Sequence, residues 1–125
     1  MREDAHCFHD DDMTAVYEKL KSADVLVIAS PVYFYGLSAQ LKAVIDRLHT
    51  PMRNTFTVKK LALLLVGAAS LPQLFDSILL QYKLTLDFFH LESIGEVLMR
   101  GVKEKGDIKN TDALKIAFKL GASIN

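Results

Sequence analysis

Apolar residues along this chain form three strand-like runs, separated by stretches of helical period. Residues 25–29 and 61–66 are continuous apolar runs without polar alternation, and residues 92–99 are a shorter, weaker run interrupted by Gly95. Unbroken runs of this length suit strands covered on both faces, as in a parallel sheet sandwiched by helices. Met13, Val16, Tyr17 and Leu20 recur at helical spacing ahead of the first run, which gives an amphipathic helix. A second helix opens at an N-cap on Ser38, carries Leu37, Leu41, Val44, Ile45 and Leu48 on its apolar stripe, and closes at Thr50-Pro51. A third is predicted from about Pro72 to His90, because proline suits a first helical turn. A last helix bears Ala113, Ile116, Ala117 and Leu120 behind a cap at Thr111 or Asp112, with Gly121 as its stop. Residues 52–57 and 100–110 read as connections. This alternation predicts an α/β layer fold, a single domain over residues 1–125 with three parallel strands, about four helices and right-handed crossovers.

The first strand raises a physical difficulty. Val25, Leu26, Val27, Ile28 and Ala29 include no charge and no proline, whereas exposed edge strands are normally blunted by one or the other. The run is therefore expected to be interior, with a strand on each side. Only a helix and a polar segment precede it. The neighbour is expected from a second chain, or from a larger fold of which this chain is the C-terminal part.

Charge and composition narrow the function classes. Lys and Arg number 15 against 15 Asp and Glu, so no overall basic field draws the chain to nucleic acid or anionic membranes. The longest apolar run, residues 61–69, is far short of the roughly 20 residues that span a bilayer. The polar start has no apolar signal core, and the single Cys7 excludes an internal disulfide framework, so a cytoplasmic location is expected. His6, Cys7, His9, Asp10, Asp11 and Asp12 bring metal-binding groups together, but their spacing fits no established metal motif. The favoured reading is a lead-in ending in a helix cap, with acidic residues at the positive end of the first helix. No metal site is assigned.

After residue 29 the chain continues Ser30-Pro31-Val32-Tyr33-Phe34-Tyr35-Gly36, then Ser38-Ala39-Gln40-Leu41-Lys42 and Asp46-Arg47. With Cys7, the following Asp11-Asp12-Met13, and Gly101-Val102 through Lys105-Gly106-Asp107 near the end, this string resembles the flavodoxin-like NAD(P)H-dependent FMN reductases, in the branch that includes the iron–sulfur flavoproteins. The resemblance implies a flavodoxin-like fold with helices on both faces of the sheet, FMN as cofactor, NAD(P)H as electron donor, and a homo-oligomer. It implies that Ser30, Pro31, Val32, Tyr33, Phe34, Tyr35 and Gly36 lie against the isoalloxazine ring, with Pro31 stiffening the loop and Gly36 permitting close backbone approach. Ala69 and Ser70, in the turn after the second strand, are expected to reach the far side of the flavin. Family members begin with a strand and a serine-rich loop that holds the FMN phosphate, and several carry further cysteines for a cluster. This sequence shows neither, so the resemblance implies an N-terminally shortened member whose isolated chain binds FMN weakly or not at all. No catalytic side chain is expected, because hydride transfer to FMN needs no protein nucleophile.

Two other readings follow from the same residues. The aromatics at 33–35 also suit core packing or an oligomer interface, in which case the chain is a non-catalytic interaction protein completed by another subunit. A receiver-type signalling domain fails on placement, since Asp10, Asp11 and Asp12 precede a helix and follow no strand.

Overall fold

The computed structural model describes residues 9–124. Within them the chain runs α1 (Met13–Leu20), β1 (Val25–Pro31), α2 (Ala39–Asp46), β2 (Lys60–Val66), α3 (Asp76–Phe89), β3 (Glu92–Met99) and α4 (Ala113–Ala122), with 3-10 turns at Pro51–Thr55 and Asp107–Asn110. The strands form one parallel sheet in the order β1-β2-β3, with Val25 opposite Lys60 and Pro31 opposite Val66. This is the flavodoxin-like α/β arrangement expected from the sequence.

The core lies where the central strand meets α2 and α3. Leu61, Leu63 and Leu65 of β2 are almost fully buried and join Ile28, Leu74, Phe75, Ile78 and Tyr82 in one cluster, flanked by Leu41 and Ile45 of α2. Tyr82 reaches into this core because its hydroxyl has partners: it donates to the Leu61 carbonyl at 2.9 Å and pairs with Ser93 Oγ at 2.8 Å. Desolvation pushes the Tyr82 hydroxyl above the ordinary phenol range. α1 joins the same side, with the Tyr17 hydroxyl donating to the Arg47 carbonyl at 2.7 Å. The opposite face is covered by α4, whose Leu120 rests on Gly95 of β3.

Helix ends follow their capping chemistry. Ser38 Oγ accepts the Leu41 N–H, Asp11 Oδ1 accepts the Met13 N–H, and Thr111 Oγ1 accepts the Ala113 N–H. The third helix departs from expectation, since α3 begins at Asp76 and residues 72–75 form a turn. The guanidinium of Arg100 causes this. Its Nε and Nη2 donate to the carbonyls of Leu71 and Pro72 at 3.1 and 2.8 Å, taking acceptors that an earlier helix would have spent on its own N–H groups. Gly121 is not a helix stop: α4 continues through it to Ala122 and ends on Ser123.

β1 is the sheet edge, so the interior position expected for it is not met within this chain. Ile28 and Ser30 are buried on one side, while Val27 is 46% exposed and Ala29 and Pro31 are exposed on the other. Among the described residues nothing pairs with its outer edge. An apolar groove of about 380 Å³ separates α4 from β1, lined by Ala29, Pro31, Leu64, Met99, Leu114 and Ala117 among others.

Candidate functional site

Two loops leave the carboxyl ends of hydrogen-bonded neighbours, the place where open parallel sheets bind ligands. The Val32 N–H donates to the Val66 carbonyl at 2.8 Å, so the loop after β1 starts beside the loop after β2. Both begin under restraint. Ser30 is 4% exposed; its hydroxyl donates to the Pro31 carbonyl at 2.7 Å and accepts the Ser38 N–H at 3.0 Å. Ser30 therefore ties the two ends of the loop together and turns its hydroxyl away from any ligand. Ser30→Ala is expected to cost about 1 kcal/mol in urea unfolding, because the Ser38 N–H loses its acceptor. An unchanged midpoint and slope would show that the tie is dispensable.

The tip of this loop is a two-residue turn closed by Tyr33 and Gly36, whose N–H and C=O groups exchange bonds at 3.0 and 3.1 Å. Its central residues, Phe34 and Tyr35, have φ of 46° and 67°. Left-handed backbone at two adjacent aromatic residues stores roughly 1–3 kcal/mol per residue, in positions that hairpins usually give to Asn or Gly. The sequence points to Gly36 as the permissive residue, yet the positive φ values fall one and two positions earlier. The result is display: Tyr33 is 64% and Phe34 97% exposed, and the Phe34 and Tyr35 rings tilt against each other at 5.5 Å. The Ser77 hydroxyl of α3 holds the turn by donating to the Tyr35 carbonyl at 2.5 Å.

Across the crevice, Ala69 and Ser70 are exposed. Their loop is fixed by the Gly101 N–H donating to the Ala69 carbonyl and the Val102 N–H to the Gly67 carbonyl, both at 3.1 Å. Gly67 is a close-approach position, where a Cβ would sit 2.5 Å from Leu74 Cδ2. The N–H groups of Phe34, Tyr35, Ala69 and Ser70 have no acceptor among the described residues. Exposed aromatic faces and unused backbone donors on both sides suit a planar ring with acceptor atoms at its edge. The site does not suit a phosphate equally well, because α3, the helix that follows the second loop, opens with the carboxylate of Asp76.

The remaining candidates disperse. Asp46 pairs with Lys42, and Arg47 with Asp11, so Asp46 and Arg47 are not partners of one another. Arg47 and the Met13 N–H hold the Asp11 carboxyl below its usual range. His6 and Cys7 lie outside the described residues, and among those described no cluster of His, Cys, Asp or Glu is arranged to hold a metal. Arg100 is a residue that sequence reasoning passed over as part of a charged loop, although it builds the turn beneath the second loop. No helix of the described residues is long and apolar enough to cross a membrane.

Residues 1–101 match the NADPH-dependent FMN reductase family. The chain belongs to that family. It is 43% identical over 68 residues to an iron–sulfur flavoprotein of Methanosarcina thermophila, a match covering 54% of this chain and 34% of that protein. It is 25% identical over 118 residues to YwqN of Bacillus subtilis, a putative NAD(P)H-dependent FMN-containing oxidoreductase, over 88% of this chain and 65% of the relative. Among solved structures, the Trp repressor binding protein of B. subtilis superposes with a TM-score of 0.75 at 26% identity, covering 87% of this chain and 75% of that one. The chain spans about a third of the length of the iron–sulfur flavoproteins it matches, 34% and 30% for the two first compared.

Proposed function

We propose that this chain is the ring-binding part of an FMN-dependent NAD(P)H oxidoreductase of the flavin and quinone reductase type. The observation that carries this reading is the strained display of Phe34 and Tyr35 opposite the open amides of Ala69 and Ser70, at the carboxyl ends of paired strands. Bound FMN supplies the hydride and electron chemistry. Tyr33, Phe34 and Tyr35 flank the isoalloxazine ring, and the free N–H groups of both loops donate to its edge. Ser30, Pro31, Val32 and Gly36 fix the loop that presents them. A nicotinamide approaches through the same open crevice, where the aromatic rings exclude water from the reacting faces.

On this reading the chain by itself recognises the ring of FMN and gains little from the phosphate. Flavin fluorescence titrations are expected to show FMN and riboflavin binding within about threefold of each other, both with dissociation constants above the micromolar level. Phe34→Gly relieves the positive φ, leaves the fold intact and is expected to weaken both flavins by about 2- to 12-fold, the loss of one aromatic contact. Submicromolar FMN binding by the single chain, or FMN bound more than about tenfold more tightly than riboflavin, would overturn the assignment of this site to the ring alone.

A further inference from the structure

We infer that the outward face of α3 is a docking surface for a second copy of this chain, packed antiparallel about a two-fold axis near Leu84. Leu80, Leu84 and Phe88 are 60%, 59% and 48% exposed and recur every four residues, so they form one stripe along the helix. Ile78 and Tyr82, which carry α3 onto the sheet, point to the opposite side at 100° per residue. A helix apolar on both sides belongs between two layers, and one layer here is solvent. Phe88 is exposed but held, with His49 and Phe89 against its ring at 5.4 and 4.9 Å and the Arg53 guanidinium 5.5 Å from its centroid. Beside the stripe lies a groove of about 500 Å³ between α2 and α3, which Leu84 and Phe88 line together with Ile45.

Charge selects a second copy of the chain as the occupant. Lys83 and Asp87 flank the stripe on one side, both exposed, and neither has an ion pair among the described residues. An isologous interface requires a patch that complements its own reverse. Antiparallel pairing about Leu84 sets Leu84 against Leu84, Leu80 against Phe88, and each Lys83 against the Asp87 of the other copy, twice. The pairing also brings the Phe88 end of one α3 towards the Ser77 end of the other, beside the aromatic turn that Ser77 holds.

Sedimentation of the full chain at low salt tests the arrangement, with circular dichroism melts to confirm that each variant folds. The wild-type chain is expected to be a dimer, and Leu84→Glu a monomer, at protein concentrations of about 10–100 μM. Lys83→Glu leaves two acids on the flank and Asp87→Lys leaves two bases, so each variant alone is expected to lose at least about tenfold in self-association. Mixed in equal amounts, the two are expected to form a heterodimer, which unfolding or general loss of packing cannot produce. A monomeric wild-type chain at about 100 μM, above the range of stable interfaces, would overturn the inference. So would a dimer that survives Leu84→Glu, which places the contact elsewhere, such as the open edge of β1, or folded charge variants that fail to associate on mixing.

Discussion

Phe75→Ala is expected to destabilise the fold by about 3–5 kcal/mol, the range for truncating a fully buried aromatic side chain. Phe75 is 0% exposed and belongs to the main hydrophobic cluster with Leu61, Leu63, Leu65 and Ile78. It also sits immediately before α3, so it anchors the turn that Arg100 holds open. The Arg100 guanidinium lies 4.6 Å from its ring centroid while donating to the Leu71 and Pro72 carbonyls. Removing the ring takes away both core volume and the surface on which that cation rests. Against a typical domain stability of about 5–15 kcal/mol, the loss is large enough to read directly from a urea midpoint. Phe34→Ala is the matched control. That side chain is 97% exposed, and its removal is expected to change stability by no more than about 0.5 kcal/mol. Equal effects of the two substitutions would refute the assignment of core and display roles.

The contrast between these two phenylalanines shows what the sequence could disclose. The strands were legible because both of the long apolar runs lacked polar alternation, and the parallel order followed from helices placed between them. The position of the candidate loop was legible too, since Ser30-Pro31 ends a strand and Gly36 and Ser38 precede a helix. The role of each residue in that loop was not. A local pattern cannot show that Ser30 is spent on the Ser38 N–H, or that Phe34 and Tyr35 take the left-handed backbone next to a glycine that does not. Those outcomes depend on contacts across the fold. The start of α3 was misplaced for the same reason, because Arg100 competes for the Leu71 and Pro72 carbonyls from 28 or 29 residues away. The apolar run of β1 overstated its burial. Its composition suits two covered faces, whereas in this chain Val27 and its alternates face the groove beside α4.

Gly95→Val is expected to cost about 2–5 kcal/mol, from backbone strain and overpacking acting together. Gly95 lies where β3 shifts register against β2: Ser93 faces Leu61 and Gly95 faces Ala62, so Ile94 is the extra residue of a bulge. The glycine takes φ of 148°, a region closed to β-branched side chains. A Cβ there would also stand 2.8 Å from Leu120 Cδ1, so the bulge lets α4 approach the sheet face. The two causes separate in a double-mutant cycle with Leu120→Ala. Truncating Leu120 removes the clash and leaves the backbone strain, so Gly95→Val is expected to cost about 1–3 kcal/mol less in that background. If the cost is the same in both backgrounds, α4 does not rest on Gly95 and strain alone is at work. A total cost below about 1 kcal/mol would mean that this residue does not hold the left-handed conformation on which the bulge depends.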